Sequence, residues 1–243
     1  MDLSVVIPAF NEETRIVATL ASLKAYLLSK RSESEIIVVD DGSRDRTADL
    51  AEEALRGWTN SRIVRFPRNL GKGAAVKEGI LLAQGDLILF SDADLSTPIE
   101  ELEKLRPWTE RGFDLVIGCR ALPDSDIQIR QARIREMLGK TFNLLVRLLV
   151  MKGICDTQCG FKLFRKEAAR KIFPLVRTRG FCFDVEVLSL AQKNGFRIRQ
   201  VPVIWRNSPK SEVKIVRSSV AMFADLWRVR RRHLTTSRVK GKT

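Results

Sequence analysis

The sequence predicts an α/β fold in which a mostly parallel sheet is flanked by helices, and three observations lead to it. Short apolar runs alternate with helical stretches through the first half of the chain, as they do in doubly wound sheets. The runs are apolar without interruption, which is typical of strands covered on both faces. Three of them are followed at once by polar loops, and in open α/β sheets ligands bind beyond the carboxyl ends of the strands.

The first half contains five predicted strands and four predicted helices. The strands cover residues 3–7, 35–39, 62–66, 86–90 and 114–117. The helices cover residues 13–29, 46–56, 74–82 and 99–109. We expect Thr47 to cap the second helix and Pro98 to occupy the first position of the fourth.

The second half is less regular. Helical spacing of apolar residues predicts a long amphipathic helix over residues 127–151, a second helix over 183–192 and a basic terminal helix over 213–232. Residues 198–205 are predicted to form a strand. We therefore expect one catalytic domain over residues 1–210, followed by a basic C-terminal helix and tail over residues 211–243.

The charge of the chain favours anionic partners. Lysine and arginine number 43 against 29 acidic residues, which gives a net charge of +14 and a pI of about 10.1. From Lys210 onward, ten basic residues face only Glu212 and Asp225, so this end alone carries +8. Such a surplus suits nucleic acid, anionic lipid or phosphorylated substrates.

Several classes of site are excluded or disfavoured. His233 is the single histidine and lies in the basic tail, which disfavours His-based zinc sites and Ser-His or Cys-His pairs. The first residues do not resemble a signal peptide. We therefore expect the four cysteines to be reduced thiols and the protein to be cytoplasmic. No apolar run reaches the roughly 18 residues that span a bilayer, so we expect contact with a membrane face and no crossing.

The pair Asp92 and Asp94 follows an apolar strand. Two carboxylates one residue apart on a turn can approach one hard divalent cation, Mg²⁺ or Mn²⁺, that would stabilise a departing diphosphate. The alternative is an Asx-rich turn that caps the next helix.

Two further loops have functional and structural interpretations. The segment 40–47 could hydrogen-bond a base or ribose, or could cap the helix that follows it. The segment 69–74, with Gly71, Lys72 and Gly73, could bind phosphate through its amides and its lysine, although it lacks Walker A spacing.

These segments occur in order at successive loops, from Pro8-Ala9-Phe10-Asn11-Glu12 to Asp92–Pro98. This series resembles glycosyltransferase family 2, whose members have the GT-A fold that binds nucleotide sugars. Later blocks (Gly118-Cys119-Arg120, Asp156 to Phe164 and Phe183-Asp184-Val185-Glu186) are similar to dolichyl-phosphate β-glucosyltransferases and other polyprenyl-phosphate glycosyltransferases. The resemblance extends to about Trp227.

The resemblance implies roles for individual residues. Pro8, Phe10, Glu12 and Asp41 would hold the nucleoside of a nucleotide-sugar donor, and Lys72 and the adjacent amides would lie near that donor. Asp92 and Asp94 would bind the metal and the diphosphate. Mannose synthases can carry a glutamine, as a further metal ligand, where this chain has Ser96, and this difference weakens the resemblance to them. The resemblance to the glucosyltransferases implies UDP-glucose as the donor, with a mannose synthase that uses GDP-mannose as the alternative.

The implied reaction inverts the sugar by direct displacement. A lipid phosphate acceptor is already largely dianionic at neutral pH and needs no general base, whereas a hydroxyl acceptor does. The candidate ligands of the acceptor phosphate are Arg120, Arg133, Arg135 and Lys214. The candidate catalytic residues are Asp94, Arg120, Asp184 and Glu186, with structural ion pairs as the alternative for the last two.

Other interpretations remain open at this point. The helix over residues 127–151 and the basic tail suit contact with anionic lipid, and burial in the core is the competing account. The enzyme could act on a soluble hydroxyl acceptor, or be a nucleotidyltransferase. A nucleic-acid-binding protein is disfavoured because the loops are acidic where a binding groove should be positive.

Overall fold

The computed structural model describes residues 1–30, 33–129, 133–206 and 222–232, and within residues 133–140 it describes Met137 as the one side chain. The described strands are β1 (Leu3–Ala9), β2 (Ser34–Asp40), β3 (Ser61–Arg65), β4 (Leu87–Ser91), β5 (Leu115–Cys119), β6 (Asp126–Ile129), β7 (Phe161–Arg165), β8 (Ile198–Pro202) and β9 (Ile204–Arg206). The described α-helices are α1 (Ile16–Lys30), α2 (Thr47–Leu55), α3 (Lys72–Leu82), α4 (Leu102–Glu110), α5 (Arg133–Leu149), α6 (Lys166–Ile172), α7 (Phe183–Lys193) and α8 (residues 222–232). Short 3₁₀ turns cover Ile99–Glu101 and Phe173–Leu175.

Seven strands form one sheet in the order β3-β2-β1-β4-β7-β5-β8. All neighbours in it are parallel except β7, which runs antiparallel between β4 and β5. The order reverses at β1, between β2 and β4, which is where doubly wound sheets bind ligands. Strands β6 and β9 form a separate parallel pair.

The inner strands of the sheet are buried on both faces, as their apolar runs predicted, whereas the edge strand β3 is largely exposed. Successive residues of β2 alternate between two clusters: Ile37 and Val39 point to one face, and Ile36 and Val38 to the other. The first cluster is covered by α3, α5, α6, α7 and α8, and the second by α1, α2 and α4. A slip by one residue would move the side chains of a strand from one cluster to the other.

The five predicted strands and four predicted helices of the first half are confirmed, with shifts at their ends. Thr47 is inside α2 and makes no cap; its hydroxyl accepts a hydrogen bond from the Glu12 backbone N–H at 2.7 Å. Pro98 directly precedes the 3₁₀ turn that leads into α4.

The second half differs more from the prediction. The helix expected from residue 127 begins at Arg133, because residues 126–129 form β6 and pair with β9. The strand expected over residues 198–205 is divided at Val203 into β8 and β9, which belong to different sheets. Strand β7 and helix α6 were not predicted.

The terminal helix is described from residue 222, and residues 207–221 lie outside the described part of the chain. Leu226 and Val229 of α8 are buried in the same cluster as Phe142 and Val146 of α5. Among the described residues, no helix combines the length and the apolar character needed to cross a membrane.

Candidate active site

The residues predicted to bind the nucleotide and the metal at the first, second and fourth strands lie together where β1, β2 and β4 end. Strand β1 ends at Ala9, β2 at Asp40 and β4 at Ser91. The Asp41 N–H donates to the Ala9 carbonyl at 2.8 Å, which joins the first two loops. The three polar loops therefore share one edge of the sheet, as expected.

The first loop is held against the second by hydrogen bonds. The Asn11 N–H donates to Ser43 Oγ at 2.9 Å, and Asn11 adopts a left-handed φ of 54°. Pro8 is buried at the end of β1, while Phe10 is half-buried. Glu12 bonds Arg15, and burial is the main cause of its raised pKa, to which the charges of Asp94 and Asp92 also contribute.

Asp41 holds the glycine-rich loop. Its carboxylate accepts the Leu70 N–H at 2.7 Å and the Gly71 N–H at 2.9 Å. The side chain is 3% exposed, and burial raises its pKa despite these two bonds. Gly71 has φ of 104°, which favours glycine. Asp41 thus fixes the backbone that carries Lys72.

The amides of this loop, which we expected near the donor, are largely occupied. Besides the two bound by Asp41, the Gly73 and Ala74 N–H groups donate to the Arg179 carbonyl at 2.7 and 3.3 Å. A Cβ on Gly73 would lie 2.6 Å from the Thr178 carbonyl oxygen, so this approach requires glycine. The loop therefore presents the side chain of Lys72 to the cleft more than its backbone.

Lys72 and Asp92 form an ion pair. Lys72 Nζ lies 2.6 Å from Asp92 Oδ1, and 5.5 and 5.8 Å from the ring centroids of Phe90 and Phe181. Burial by itself would lower the pKa of Lys72, but the nearby carboxylates of Asp92 and Asp184 outweigh it, so the pKa is raised. The ammonium is therefore charged at neutral pH.

Asp94 is half-buried and has a free carboxylate oxygen. Within the described residues its one hydrogen-bond partner is the Ser96 N–H, which donates to Oδ1 at 2.9 Å. Leu95 between them has a left-handed φ of 44°, a strained conformation for a residue of this size. Such strain is common where a loop aims side chains at a ligand.

Asp184 lies below this edge and is paired with Lys162. The Lys162 ammonium is 2.7 Å from Asp184 Oδ1 and donates to the Cys159 carbonyl at 2.5 Å. Lys162 is 1% exposed and Asp184 4%. Burial raises the pKa of Asp184, and the charges of Lys162 and Lys72 oppose the increase.

Arg120 follows β5 and is held by Asp156. Its Nε and Nη2 donate to the two carboxylate oxygens at 2.7 and 2.9 Å, and its backbone N–H donates at 3.1 Å. The guanidinium also lies 5.4 Å from the centroid of Trp205. Among the described residues Nη1 has no hydrogen-bond partner, so this edge of the Arg120 guanidinium remains available to bind a ligand.

One short loop joins the arginine to the acidic pair. Asp156 binds Arg120, and four residues later the Gly160 carbonyl accepts the Asp92 N–H at 3.0 Å. A Cβ on Gly160 would overlap the Asp92 carboxylate. The carboxylates and the cation are therefore neighbours in space, although 36 residues separate Arg120 from Asp156 in sequence.

Of the other predicted residues, Glu186 is buried and already paired, and three lie outside the side chains that the structure describes. Glu186 is 3% exposed; one carboxylate oxygen accepts the backbone N–H groups of residues 177 and 178, and the other accepts from Arg232 Nη1 at 3.1 Å. Arg133 and Arg135 are on α5, with side chains outside the described part. Lys214 also lies outside the described residues.

Sequence reasoning gave no individual role to Lys162 or Asp156. A charged residue inside the apolar run Phe161-Lys162-Leu163-Phe164 was the available signal for a buried pair. Nothing comparable pointed to Asp156 as the partner of Arg120, because that pairing depends on how the loop before β7 is placed.

Comparisons with known proteins show the family to which this chain belongs. Residues 4–173 match the model of glycosyl transferase family 2. The dolichyl-phosphate β-glucosyltransferase of Dictyostelium discoideum is 38% identical over 96% of this chain and 75% of its own length. The enzymes of the same name from Saccharomyces cerevisiae and Homo sapiens are 36% and 35% identical over 96% of this chain, and over 75% and 76% of their own lengths.

Solved structures support the fold. Mannosyl-3-phosphoglycerate synthase from Rubrobacter xylanophilus aligns with a TM-score of 0.73 at 21% identity, over 96% of this chain and 75% of that one. Glucosyl-3-phosphoglycerate synthase from Mycobacterium tuberculosis, bound to UDP, aligns with a TM-score of 0.69 at 22% identity, over 94% and 80%. With a family model that matches most of the chain and relatives above 30% identity, this protein is a glycosyltransferase that belongs to family 2 and has the GT-A fold.

Proposed function

We propose that this enzyme transfers glucose from UDP-glucose to a polyprenyl phosphate at a cytosol-facing membrane surface. The observation that carries the proposal is the loop from Asp156 to Gly160. One end of this loop holds Arg120 and the other holds Asp92, so a cation suited to an acceptor phosphate adjoins the carboxylates suited to a donor. The relatives named dolichyl-phosphate β-glucosyltransferase support this choice of acceptor and sugar.

A divalent cation, Mg²⁺ or Mn²⁺, fits the donor side of this site. Asp94 has an oxygen without a hydrogen-bond partner in the described structure, and carboxylate oxygens are the ligands that these hard cations prefer. No group of three acidic, cysteine or histidine side chains among the described residues could hold a metal. Asp94, with Asp92, would therefore supply part of the coordination, and the diphosphate of the donor would supply much of the rest.

Solved relatives of the fold support the cation. The Mycobacterium tuberculosis synthase was crystallised with Mn²⁺ and UDP-glucose. When bound, the cation would neutralise the negative charge that develops on the departing diphosphate. Lys72 would add a second positive charge on the same side, since its ammonium is already beside Asp92.

The acceptor side needs a cation and no base. A phosphate monoester is largely dianionic at neutral pH, with a second pKa of about 6. One of its oxygens would attack the anomeric carbon while the bond to the UDP diphosphate breaks, and the configuration inverts. Arg120 would hold the acceptor phosphate through its free edge, and Asp156 would fix the orientation of the guanidinium. Two anions would thereby be brought together in a fixed geometry.

Asp184 is our candidate to face the sugar, because its carboxylate is near enough to Lys72 and Asp92 to interact with their charges. For Glu186 we propose a structural role. Its carboxylate already bonds two backbone N–H groups and Arg232 of α8. It would thus fasten the terminal helix to the catalytic domain.

Contact with a membrane is supported by exposed apolar side chains on neighbouring helices. Met137, Leu144 and Leu148 of α5 are 62%, 47% and 71% exposed, and Trp227 of α8 is 57% exposed. The opposite face of α5 is buried, and Phe142 contacts Phe223 of α8 at 6.0 Å between ring centroids. An apolar face of this kind beside basic residues suits a helix that lies in a lipid interface.

The test is release of UDP from UDP-glucose with Mn²⁺ or Mg²⁺, with and without a polyprenyl phosphate in detergent. We expect lipid-dependent release, and at least a ~100-fold loss of rate in Asp94→Ala, as for removal of a key electrostatic group. Asp124→Ala, which removes an exposed carboxylate, is the matched control.

Two other arms distinguish the alternatives. Turnover with GDP-mannose and not with UDP-glucose would overturn the donor. Turnover with 3-phosphoglycerate and not with the lipid would overturn the acceptor. Membrane contact is tested separately by flotation with anionic liposomes. If the exposed face of α5 is responsible, the double variant Leu144→Gln/Leu148→Gln should no longer float with the liposomes.

A further inference from the structure

Lys72 and a bound metal ion would compete for the same carboxylate, that of Asp92. Its ammonium is 2.6 Å from Oδ1 of Asp92, a carboxylate that a divalent cation bound between Asp92 and Asp94 would share with it. The rings of Phe90 and Phe181 flank it at 5.5 and 5.8 Å. These apolar rings give the ammonium no hydrogen bond, and among the described residues Asp92 is the carboxylate with which it forms an ion pair.

The two partners differ in how freely they can move. Asp92 lies against Gly160, where no side chain could fit, and its N–H is bonded to the Gly160 carbonyl at 3.0 Å. The backbone of Lys72 is fixed through Asp41 and through the Arg179 carbonyl, which bind the residues on either side. The four-carbon side chain of Lys72 is therefore the part that can change partners.

The charges of the site favour entry of metal and donor together. Around Lys72, the negative charges of Asp92, Asp94 and Asp184 interact with the positive charges of Lys72 and Lys162. A nucleotide-sugar diphosphate carries as many negative charges as a divalent cation carries positive ones. Adding the pair leaves the charge of the site unchanged, whereas adding the cation alone places it beside the Lys72 ammonium in a half-buried site.

We propose that Lys72 keeps the divalent cation out of the free enzyme by occupying Asp92, and releases Asp92 when a donor diphosphate arrives to bind the lysine. The inference rests on the proposed role of this site in binding a metal and a diphosphate. It gives Lys72 a second task besides contact with the donor. It makes metal binding conditional on the substrate.

The experiment measures Mn²⁺ binding to the free protein, without nucleotide or lipid, from the electron paramagnetic resonance signal of unbound Mn²⁺. We expect Lys72→Met to bind Mn²⁺ at least about tenfold more tightly than the wild type, since a like charge at roughly 4 Å is removed. Lys72→Gln should behave the same way and guards against misfolding of the first variant. Lys152→Met removes an exposed lysine and the same net charge, and should match the wild type.

A second substitution localises the effect. In the Lys72→Met background, Asp94→Asn should abolish the gain in affinity. Equal or weaker Mn²⁺ binding by both Lys72 variants would overturn the inference, as would a gain that survives loss of the Asp94 charge. Because no sugar or acceptor is present, the result does not depend on which substrates the enzyme uses.

Discussion

Substitution of Asp156 by asparagine tests how Arg120 is held. Asparagine keeps the shape of the side chain and removes its charge, and it replaces one accepting oxygen by a donor. The bidentate pair, with bonds of 2.7 and 2.9 Å, can then form only in part. We expect the substitution to lower the free energy of unfolding and to weaken binding of the acceptor phosphate.

The size of the stability effect follows from the pKa of Asp156. Burial alone would raise this pKa, but the Arg120 guanidinium outweighs burial and lowers it from 3.8 to about 2. Each pH unit corresponds to about 1.36 kcal/mol, so the ionised carboxylate stabilises the fold by roughly 2 kcal/mol at neutral pH. The side chain is 2% exposed, so solvent screens little of this. The melting temperature should fall by roughly 5–10 °C.

The pH dependence provides a sharper signature. A carboxyl group whose pKa is lower in the folded state stabilises it above the unfolded pKa, and this contribution is lost as the pH falls through the folded pKa. The difference in unfolding free energy between wild type and Asp156→Asn should therefore be constant above about pH 5. It should shrink to roughly half by about pH 3.

The assay is urea unfolding at several pH values, together with steady-state kinetics. Asp86→Asn is the control, because its carboxylate is 81% exposed and lies 4.0 Å from Lys166. KM for the lipid phosphate should rise by about tenfold, with the affinity for UDP-glucose unchanged. A stability difference under about 0.5 kcal/mol at neutral pH, or one that does not shrink in acid, would refute the reasoning.

Three further substitutions probe the rest of the site. Gly160→Ala should displace the Asp92 carboxylate and raise KM for UDP-glucose by about tenfold or more while the fold persists by circular dichroism. Lys162→Met leaves Asp184 buried without its counterion and should cost about 3–5 kcal/mol in urea unfolding. Glu186→Gln should speed proteolysis of the terminal helix and leave kcat within about twofold; a hundredfold loss of kcat would instead favour a catalytic role.

The first half of the fold was predictable because its elements have strong local patterns. The strands ending at Ala9, Asp40 and Ser91 are continuous apolar runs, and burial on both faces requires that pattern. The loops after them were placed at one edge by topology alone, since parallel strands share the direction of their carboxyl ends. Asp92 and Lys72 could therefore be assigned to one cleft before their contact was known.

The second half depends on contacts between distant segments, and the sequence pattern misled there. In the sequence, residues 126–129 continue the helical spacing of α5, but in the structure they form a strand that pairs with β9. Strand β7 is five residues long and pairs with two strands that precede it in the chain by about 50 and 75 residues. No local pattern specifies such pairing, and tertiary context overrides propensity in short strands.

The antiparallel insertion of β7 is what builds the site from these two halves. Its register places Lys162 opposite Phe90 of β4 and Ile117 of β5. The loop that enters it carries Asp156 to Arg120 and Gly160 to Asp92. A slip by one residue would turn Lys162 to the other face of the sheet and remove the counterion of Asp184. A buried ion pair is a weak source of stability compared with apolar packing, so the value of the Lys162–Asp184 pair lies in fixing a charged side chain beside the cleft. The strand that was hardest to predict is therefore the one on which the donor and acceptor sides both depend.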